Sequence, residues 1–134
     1  MLSTGKSTLS EAVGQLLHTP VFALDWMLGT LVQFRVPNQN NFLVAAEALL
    51  TMLVQRQLWL EQSVIIDTPA HTVLARQHWQ ELARSHGASF YGIKTICSDI
   101  TLHRQRVERR NRKIPGRPEI DWSHVERMRA AYEA

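Results

Sequence analysis

Six consecutive residues near the N-terminus combine the groups that bind a phosphate. They are Ser3, Thr4, Gly5, Lys6, Ser7 and Thr8. A glycine here lets the backbone approach an anion, and the N–H groups at the start of the following helix point toward it. The Lys6 ammonium can reach phosphate oxygens, and the Ser7 hydroxyl is a suitable ligand for Mg²⁺. The pattern predicts a polyphosphate site; the simpler alternative is an ordinary helix start.

The same residues match the second half of the P-loop pattern, Gly-x-x-x-x-Gly-Lys-[Ser/Thr]. The first glycine of the pattern, and the strand that should precede it, would lie before Met1. That strand is usually central in a P-loop sheet, so its absence would leave two strands unpaired on one side. We therefore expect a fold whose N-terminal strand is missing, either because the chain is truncated or because a partner or a rearrangement fills the gap.

Two acidic residues follow short apolar runs that are typical of buried strands. Asp25 follows residues 21–24, and Asp67 follows residues 63–66. Ligands of α/β proteins bind at the carboxyl ends of parallel strands, so both acids are candidate site residues. The alternatives are a helix N-cap for Asp25 and a turn-forming role for Asp67 before Thr68-Pro69.

A basic segment occupies residues 104–117, where seven basic side chains and one acidic one give a formal charge of +6. The whole chain carries only +3, so this concentration indicates a local anion site. Arg106 and Arg110 are four residues apart, which predicts that they share one face of a helix and could clamp phosphate oxygens. The neighbouring cations are assigned to a solvated face: Arg109, Arg112 and Lys113. Nucleic-acid binding is a weaker interpretation, because the segment lacks interleaved aromatic residues.

The elements that would position these residues follow from hydrophobic periodicity. Helical spacing predicts helices over residues 7–17, 26–32, 42–61, 72–85, 99–112 and 123–133. Short apolar or β-branched runs predict strands over residues 21–24, 63–67 and 90–97. Alternation of strands and helices is typical of an α/β domain with a parallel sheet covered on both faces.

The order of these features resembles the small ATP-dependent P-loop kinases. The residues that carry the resemblance are the 3–8 motif, the strands before Asp25 and Asp67, and the arginine-rich residues 102–112. The group includes zeta-toxin, chloramphenicol phosphotransferase and gluconate kinase, with an AAA-type ATPase domain. The resemblance implies a three-layer α/β/α, nucleoside-kinase-like P-loop NTPase fold over residues 1–134. It also implies ATP and Mg²⁺ as cofactors, and transfer of the γ-phosphate to a hydroxyl of a small-molecule acceptor.

The resemblance assigns a role to each candidate residue. ATP would be bound by the whole motif from Ser3 to Thr8, and Mg²⁺ by Ser7 and Asp67. Catalysis would involve Lys6, Asp25, Arg106 and Arg110. In the resembled kinases, an acid at the place of Asp25 orients the acceptor hydroxyl or accepts its proton. Arg106 and Arg110 match the arginines of the lid helix, and a lid-like basic segment is expected at about residues 104–118.

Length and composition limit the remaining possibilities. The chain has 134 residues, 45% of them hydrophobic, which indicates one globular domain and argues against disorder. A single cysteine, Cys97, excludes an internal disulfide and fits a reducing compartment. The longest apolar run, residues 42–54, is too short to span a bilayer, and no signal-peptide pattern precedes it. We expect a soluble cytoplasmic protein with no membrane partner; no residue pattern identifies the acceptor or the oligomeric state.

A second hypothesis is that the chain is not an enzyme. The missing first strand favours a P-loop-derived domain that has lost catalysis and serves as a nucleotide-binding or regulatory protein. ATP consumption with any acceptor would exclude this hypothesis.

Overall fold

The computed structural model describes residues 4–34 and 41–134 of the chain. Within these ranges it contains six helices and two strands. In chain order they are α1 (Lys6–Leu17), β1 (Val21–Ala23), α2 (Leu24–Gln33), α3 (Phe42–Trp59), β2 (Ile65–Asp67), α4 (Val73–Ser85), α5 (Ile100–Glu108) and α6 (Trp122–Ala130). This part of the chain is therefore rich in helix, with a small parallel sheet that is consistent with the predicted α/β class.

The sheet that the described residues form consists of β1 and β2, which pair in parallel. Val21 lies opposite Ile65, and Ala23 lies opposite Asp67. Parallel strands end at the same edge of a sheet, so Asp67 lies at the edge where β1 ends and α2 begins. The predicted strands at residues 21–24 and 63–67 are confirmed, each shortened to three residues.

The third predicted strand, residues 90–97, is wrong. The structure gives no helix or strand between residues 88 and 99. The apolar side chains of this segment are largely exposed, with Tyr91 at 85%, Ile93 at 71% and Ile96 at 66%. A β-rich composition produces a strand only when a neighbouring strand accepts its backbone hydrogen bonds, and none of the described strands pairs with this segment.

The chain divides into two compact units. The sheet unit comprises Ser10–Thr68 and Arg112–Pro118, and the helical unit comprises Met1–Leu9, Pro69–Asn111 and Glu119–Ala134. The sheet unit thus holds β1, β2, α2, α3 and most of α1. The helical unit holds the first turn of α1 together with α4, α5 and α6.

The core of the sheet unit lies along one line of α3. Ala46, Leu50 and Val54 follow one another at intervals of four residues and are at most 2% exposed. This spacing places them on one helix face; α2 packs against α3, and Leu24 in the first turn of α2 is buried as well. Other apolar side chains of α3 are exposed, among them Val44 at 61% and Met52 at 56%.

Gly14 allows α1 to lie directly on the sheet. A Cβ atom at this position would overlap the Val21 side chain and would lie 3.1 Å from the Thr19 carbonyl oxygen. Apolar residues at positions 9, 13, 16 and 17 have the spacing of a stripe along α1, but the stripe is open at its end, where Leu16 is 78% and Leu17 61% exposed. Contact between α1 and β1 therefore depends on a small residue and not on the stripe.

The helices of the helical unit begin at side-chain caps. Thr72 accepts a hydrogen bond from the Ala75 N–H at the start of α4, and Asp99 does the same for Leu102 at α5. Asp121 caps α6 by accepting from the His124 N–H at 2.8 Å. Each cap satisfies a donor that the first turn of a helix would otherwise leave open. No helix in the described ranges is both long enough and apolar enough to cross a membrane.

Candidate functional site

The N-terminal motif has the backbone geometry that a phosphate loop requires. Gly5 has a φ of +91°, which strains any residue with a side chain, and α1 begins at the next residue. The Gly5 carbonyl accepts the first helical hydrogen bond, from the Leu9 N–H at 2.9 Å. Lys6 and Ser7 are half-buried at the mouth of the helix, and Thr8 is exposed. Ser3, which was predicted to share in this site, lies outside the described residues.

Thr4 ties the motif to the helical unit. Its side chain is buried, and its hydroxyl is hydrogen-bonded to the Thr95 hydroxyl at 2.5 Å. The residue that immediately precedes Gly5 is therefore fixed by a contact from far along the chain. A fixed approach to the helix reduces the conformational entropy that ligand binding would otherwise cost.

A cavity of about 390 Å³ opens at the carboxyl edge of the sheet. Asp67, only 5% exposed at the end of β2, forms part of its wall. Glu11 of α1 contributes a second carboxylate, while Phe22, Trp26 and Met27 supply apolar surface. This volume is within the range of small-molecule sites, and the position is the one that α/β sheets use for ligands.

Asp25 occupies a different environment from the one predicted. It lies in the first turn of α2, and the N-cap is Ala23, so the alternative role as a helix cap is wrong. Its carboxylate accepts hydrogen bonds from Arg112 Nη1 at 2.5 Å and Arg117 Nη2 at 3.3 Å. Two guanidinium groups thus neutralise a carboxylate that sequence analysis assigned to proton transfer. Whether Asp25 also acts in catalysis stays a prediction.

Two close backbone contacts hold the segment 112–118 against α2. A Cβ atom on Gly29 would overlap the Pro115 carbonyl oxygen, and one on Gly116 would overlap the Gly29 carbonyl oxygen. Gly116 also has a φ of +73°, which favours glycine. These glycines bring the arginines of the segment within reach of Asp25.

The assignment of Arg112 to a solvated basic face is therefore wrong. Its side chain is only 7% exposed, and Arg117 is 24% exposed beside the same carboxylate. The excess of positive charge in residues 104–117 signalled a need for acidic partners. This charge excess does not show that Asp25 is the partner of Arg112, because the two residues are 87 positions apart in the chain.

The predicted pairing of Arg106 and Arg110 on one helix face is also wrong. Helix α5 ends at Glu108, and Arg110 follows its C-cap, Arg109. The Arg110 N–H donates to the Val107 carbonyl at 3.3 Å, a bond that spans only three residues and closes the last turn. A longer helix would stack the like charges of Arg106 and Arg110 at i and i+4, which is unfavourable. Arg106 itself is exposed.

The candidate residues fall into the two units. The N-terminal motif, Arg106 and Arg110 belong to the helical unit, whereas Asp25 and Asp67 belong to the sheet unit. Within the sheet unit, Asp67 shares a cavity with Trp26 and with Glu11, and Glu11 is the one for which the sequence predicted no role. Glu11 carried no usable signal in the sequence, because a single glutamate on a helix is most often solvated.

Comparison with known proteins agrees with the motif. A family model described as an AAA domain matches residues 1–134. No curated protein and no solved structure matches the chain. The AAA domain is a P-loop type of domain, and membership indicates nucleotide binding, usually with Mg²⁺. With a family model matched from the first residue to the last, this chain belongs to the AAA domain family.

Proposed function

We propose that this chain is a P-loop kinase that transfers the γ-phosphate of ATP to a hydroxyl group of a small molecule. The observation that carries the proposal is Gly5 at a φ of +91°, followed directly by Lys6 and Ser7 at the start of α1, in a member of the AAA domain family. Backbone amides in this arrangement bind phosphate oxygens, and the Lys6 ammonium adds a positive charge.

The donor groups suit a magnesium nucleotide. Mg²⁺ prefers oxygen ligands and usually keeps several waters, so the hydroxyl of Ser7 and the carboxylate of Asp67 are appropriate residues to hold it. When bound, the ion neutralises charge on the phosphates. The remaining work belongs to the chain itself: the amides near Gly5 orient the polyphosphate, and the cavity beside Asp67 receives the acceptor.

The transfer step needs positioning more than acid–base chemistry. The acceptor oxygen forms a bond to the γ-phosphorus as the bond to the β–γ bridging oxygen breaks, and ADP leaves with that electron pair. The acceptor's proton passes to solvent water in this scheme, because two guanidinium groups already hold the Asp25 carboxylate. Arg106 and Arg110 remain candidates to neutralise phosphate charge through their guanidinium groups.

Calorimetric titration with Mg·ATP tests the phosphate assignment. Lys6→Gln removes one charge-assisted contact, so we expect roughly 10- to 100-fold weaker binding with an unchanged melting temperature. Lys113→Gln is the matched control, because it removes the same charge from an exposed position. Equal affinity of the Lys6 variant and the parent would contradict the assignment.

The ion pairs of Asp25 favour a second candidate function, in which the chain binds a nucleotide without transferring phosphate. A carboxylate whose two oxygens accept hydrogen bonds from Arg112 and Arg117 is held in a structural role, as expected of a domain that has lost catalysis. An assay of ADP release with Mg·ATP and a panel of sugars, nucleosides and antibiotics separates the two functions. Turnover with any acceptor supports the kinase; binding without turnover supports the regulatory protein.

A further inference from the structure

We infer that the cavity at the carboxyl edge of the sheet binds a cationic acceptor, an alcohol that carries an ammonium group beside an apolar or aromatic portion. The inference rests on the proposed kinase function, whose acceptor site it specifies. Its basis is the charge and surface chemistry of the cavity lining: two carboxylates, an open indole ring and four other apolar residues.

The charges that line the cavity favour a positively charged ligand. Glu11 and Asp67 both contribute carboxylates, and no lysine or arginine is among the lining residues that the structure describes. The chain as a whole carries a net charge of +3, so this acidic lining is a local exception. An anionic acceptor would meet like charge here, whereas an ammonium group would meet an opposite one.

The two carboxylates have separate tasks in this assignment. Asp67 is 5% exposed and is the residue proposed to hold Mg²⁺, whose charge would offset its own. Glu11 lies on α1, is exposed, and stays available to the ligand. The ammonium group of the acceptor is therefore assigned to Glu11.

The apolar wall accounts for the rest of the ligand. Trp26 is 49% exposed, an unusually open position for an indole ring beside a cavity. Its face can attract an ammonium group through the ring quadrupole or stack on an aromatic portion. Met27 and Phe22 extend the same surface, and the volume of about 390 Å³ accommodates a compound of metabolite size.

Matched ligand pairs test the inference by calorimetry on the full chain in the presence of Mg·ADP. The probes are phenylalaninol against 3-phenylpropanol, and glucosamine against glucose; phenyllactate serves as the anionic comparison. We expect at least one ammonium compound to bind ten or more times more tightly than its neutral partner. Equal binding within both pairs, or tightest binding of phenyllactate, would overturn the inference.

Two variants test which residues cause the preference for the ammonium compound. Glu11→Gln should remove most of the preference for the ammonium compound and leave affinity for Mg·ADP unchanged, and Trp26→Leu should weaken the ammonium compound several-fold. Glu47→Gln, an exposed glutamate of the sheet unit that does not line the cavity, is the matched control. An undiminished preference in the Glu11 variant would overturn the assignment.

The kinase proposal and the ligand inference can fail separately. If the chain binds the ammonium compound through Glu11 but does not bind Mg·ATP, the cavity assignment stands and the kinase is refuted. If Mg·ATP binds and is consumed with a neutral or anionic acceptor, the kinase stands and the cationic acceptor is refuted.

Discussion

The ion pairs of Asp25 make a quantitative prediction about stability. Asp25→Asn keeps the shape of the side chain but removes its charge, so that Arg112, with 7% of its side chain exposed, and Arg117 lose the ion pair with this carboxylate. Removing one partner of a fully buried ion pair costs about 3–5 kcal/mol. Asp25 is itself 28% exposed, so water offsets part of the loss. We therefore expect the free energy of unfolding to fall by about 2–3 kcal/mol.

A loss of this size is large for a domain of 134 residues. Total stabilities are about 5–15 kcal/mol, and each kcal/mol shifts the melting temperature by roughly 3–5 °C at this length. Urea unfolding followed by tryptophan fluorescence and thermal unfolding followed by circular dichroism both measure the change. The described sheet unit contains Trp26 and Trp59, so the fluorescence reports on the region that is perturbed.

The control is the exposed pair on α4. Arg84 and Glu81 lie 2.7 Å apart with side chains 76% and 62% exposed. Glu81→Gln also removes one carboxylate from an ion pair, and we expect no change beyond experimental error, because surface pairs contribute little. An Asp25→Asn variant as stable as Glu81→Gln would refute the account of the segment 112–118. The double variant with Arg112→Met should recover part of the loss, since it also removes the buried cation of this ion pair.

Two further predictions concern other parts of the fold. Gly29→Ala should lower the free energy of unfolding in urea by about 1–3 kcal/mol, because the new methyl group would overlap the Pro115 carbonyl oxygen. Gly87→Ala is the comparison, since a methyl group there meets no atom within 4 Å but the φ of +66° disfavours a side chain. It therefore measures the cost of backbone strain without steric overlap. The backbone hydrogen bond from His124, with one from Ser123, lowers the pKa of Asp121. Stabilisation by this cap is therefore complete above about pH 4 and is lost as the pH falls through the lower pKa of the folded state. Asp121→Asn keeps the cap without the titration, so its melting temperature should fall less between pH 5 and pH 2.5 than that of the parent; an equal fall would contradict this role.

Local signals were sufficient to predict the helices. The predicted helix over residues 72–85 is confirmed, and the one over residues 99–112 is confirmed only as far as Glu108; each starts one residue after a capping side chain, Thr72 and Asp99. Gly87 ends α4 with a φ of +66°: its N–H donates to the Arg84 carbonyl, and the Ala88 N–H donates to the Ala83 carbonyl, which closes the helix. Caps and periodicity act over a few residues, so the sequence records them directly.

Features that depend on contacts between residues far apart in the sequence could not be predicted from local patterns. Residues 90–97 have the composition of a strand, but a strand also needs a neighbour, and composition does not name one. Arg112 was placed in solvent because its partner, Asp25, lies 87 residues earlier. The position of Asp67 at the end of a strand predicted a ligand site at that edge of the sheet. The place of Glu11 in the cavity lining depends on how α1 lies on β1, which Gly14 permits.

The central claim is that the backbone amides around Gly5 bind the phosphates of a nucleotide. Titration of the ¹⁵N-labelled chain with Mg·ADP, followed by amide chemical shifts, tests this claim most directly. The account predicts that the largest shifts fall on residues 4–8 and that Lys6→Gln moves the whole titration to higher nucleotide concentration. Saturable shifts that leave these five amides unchanged would contradict it.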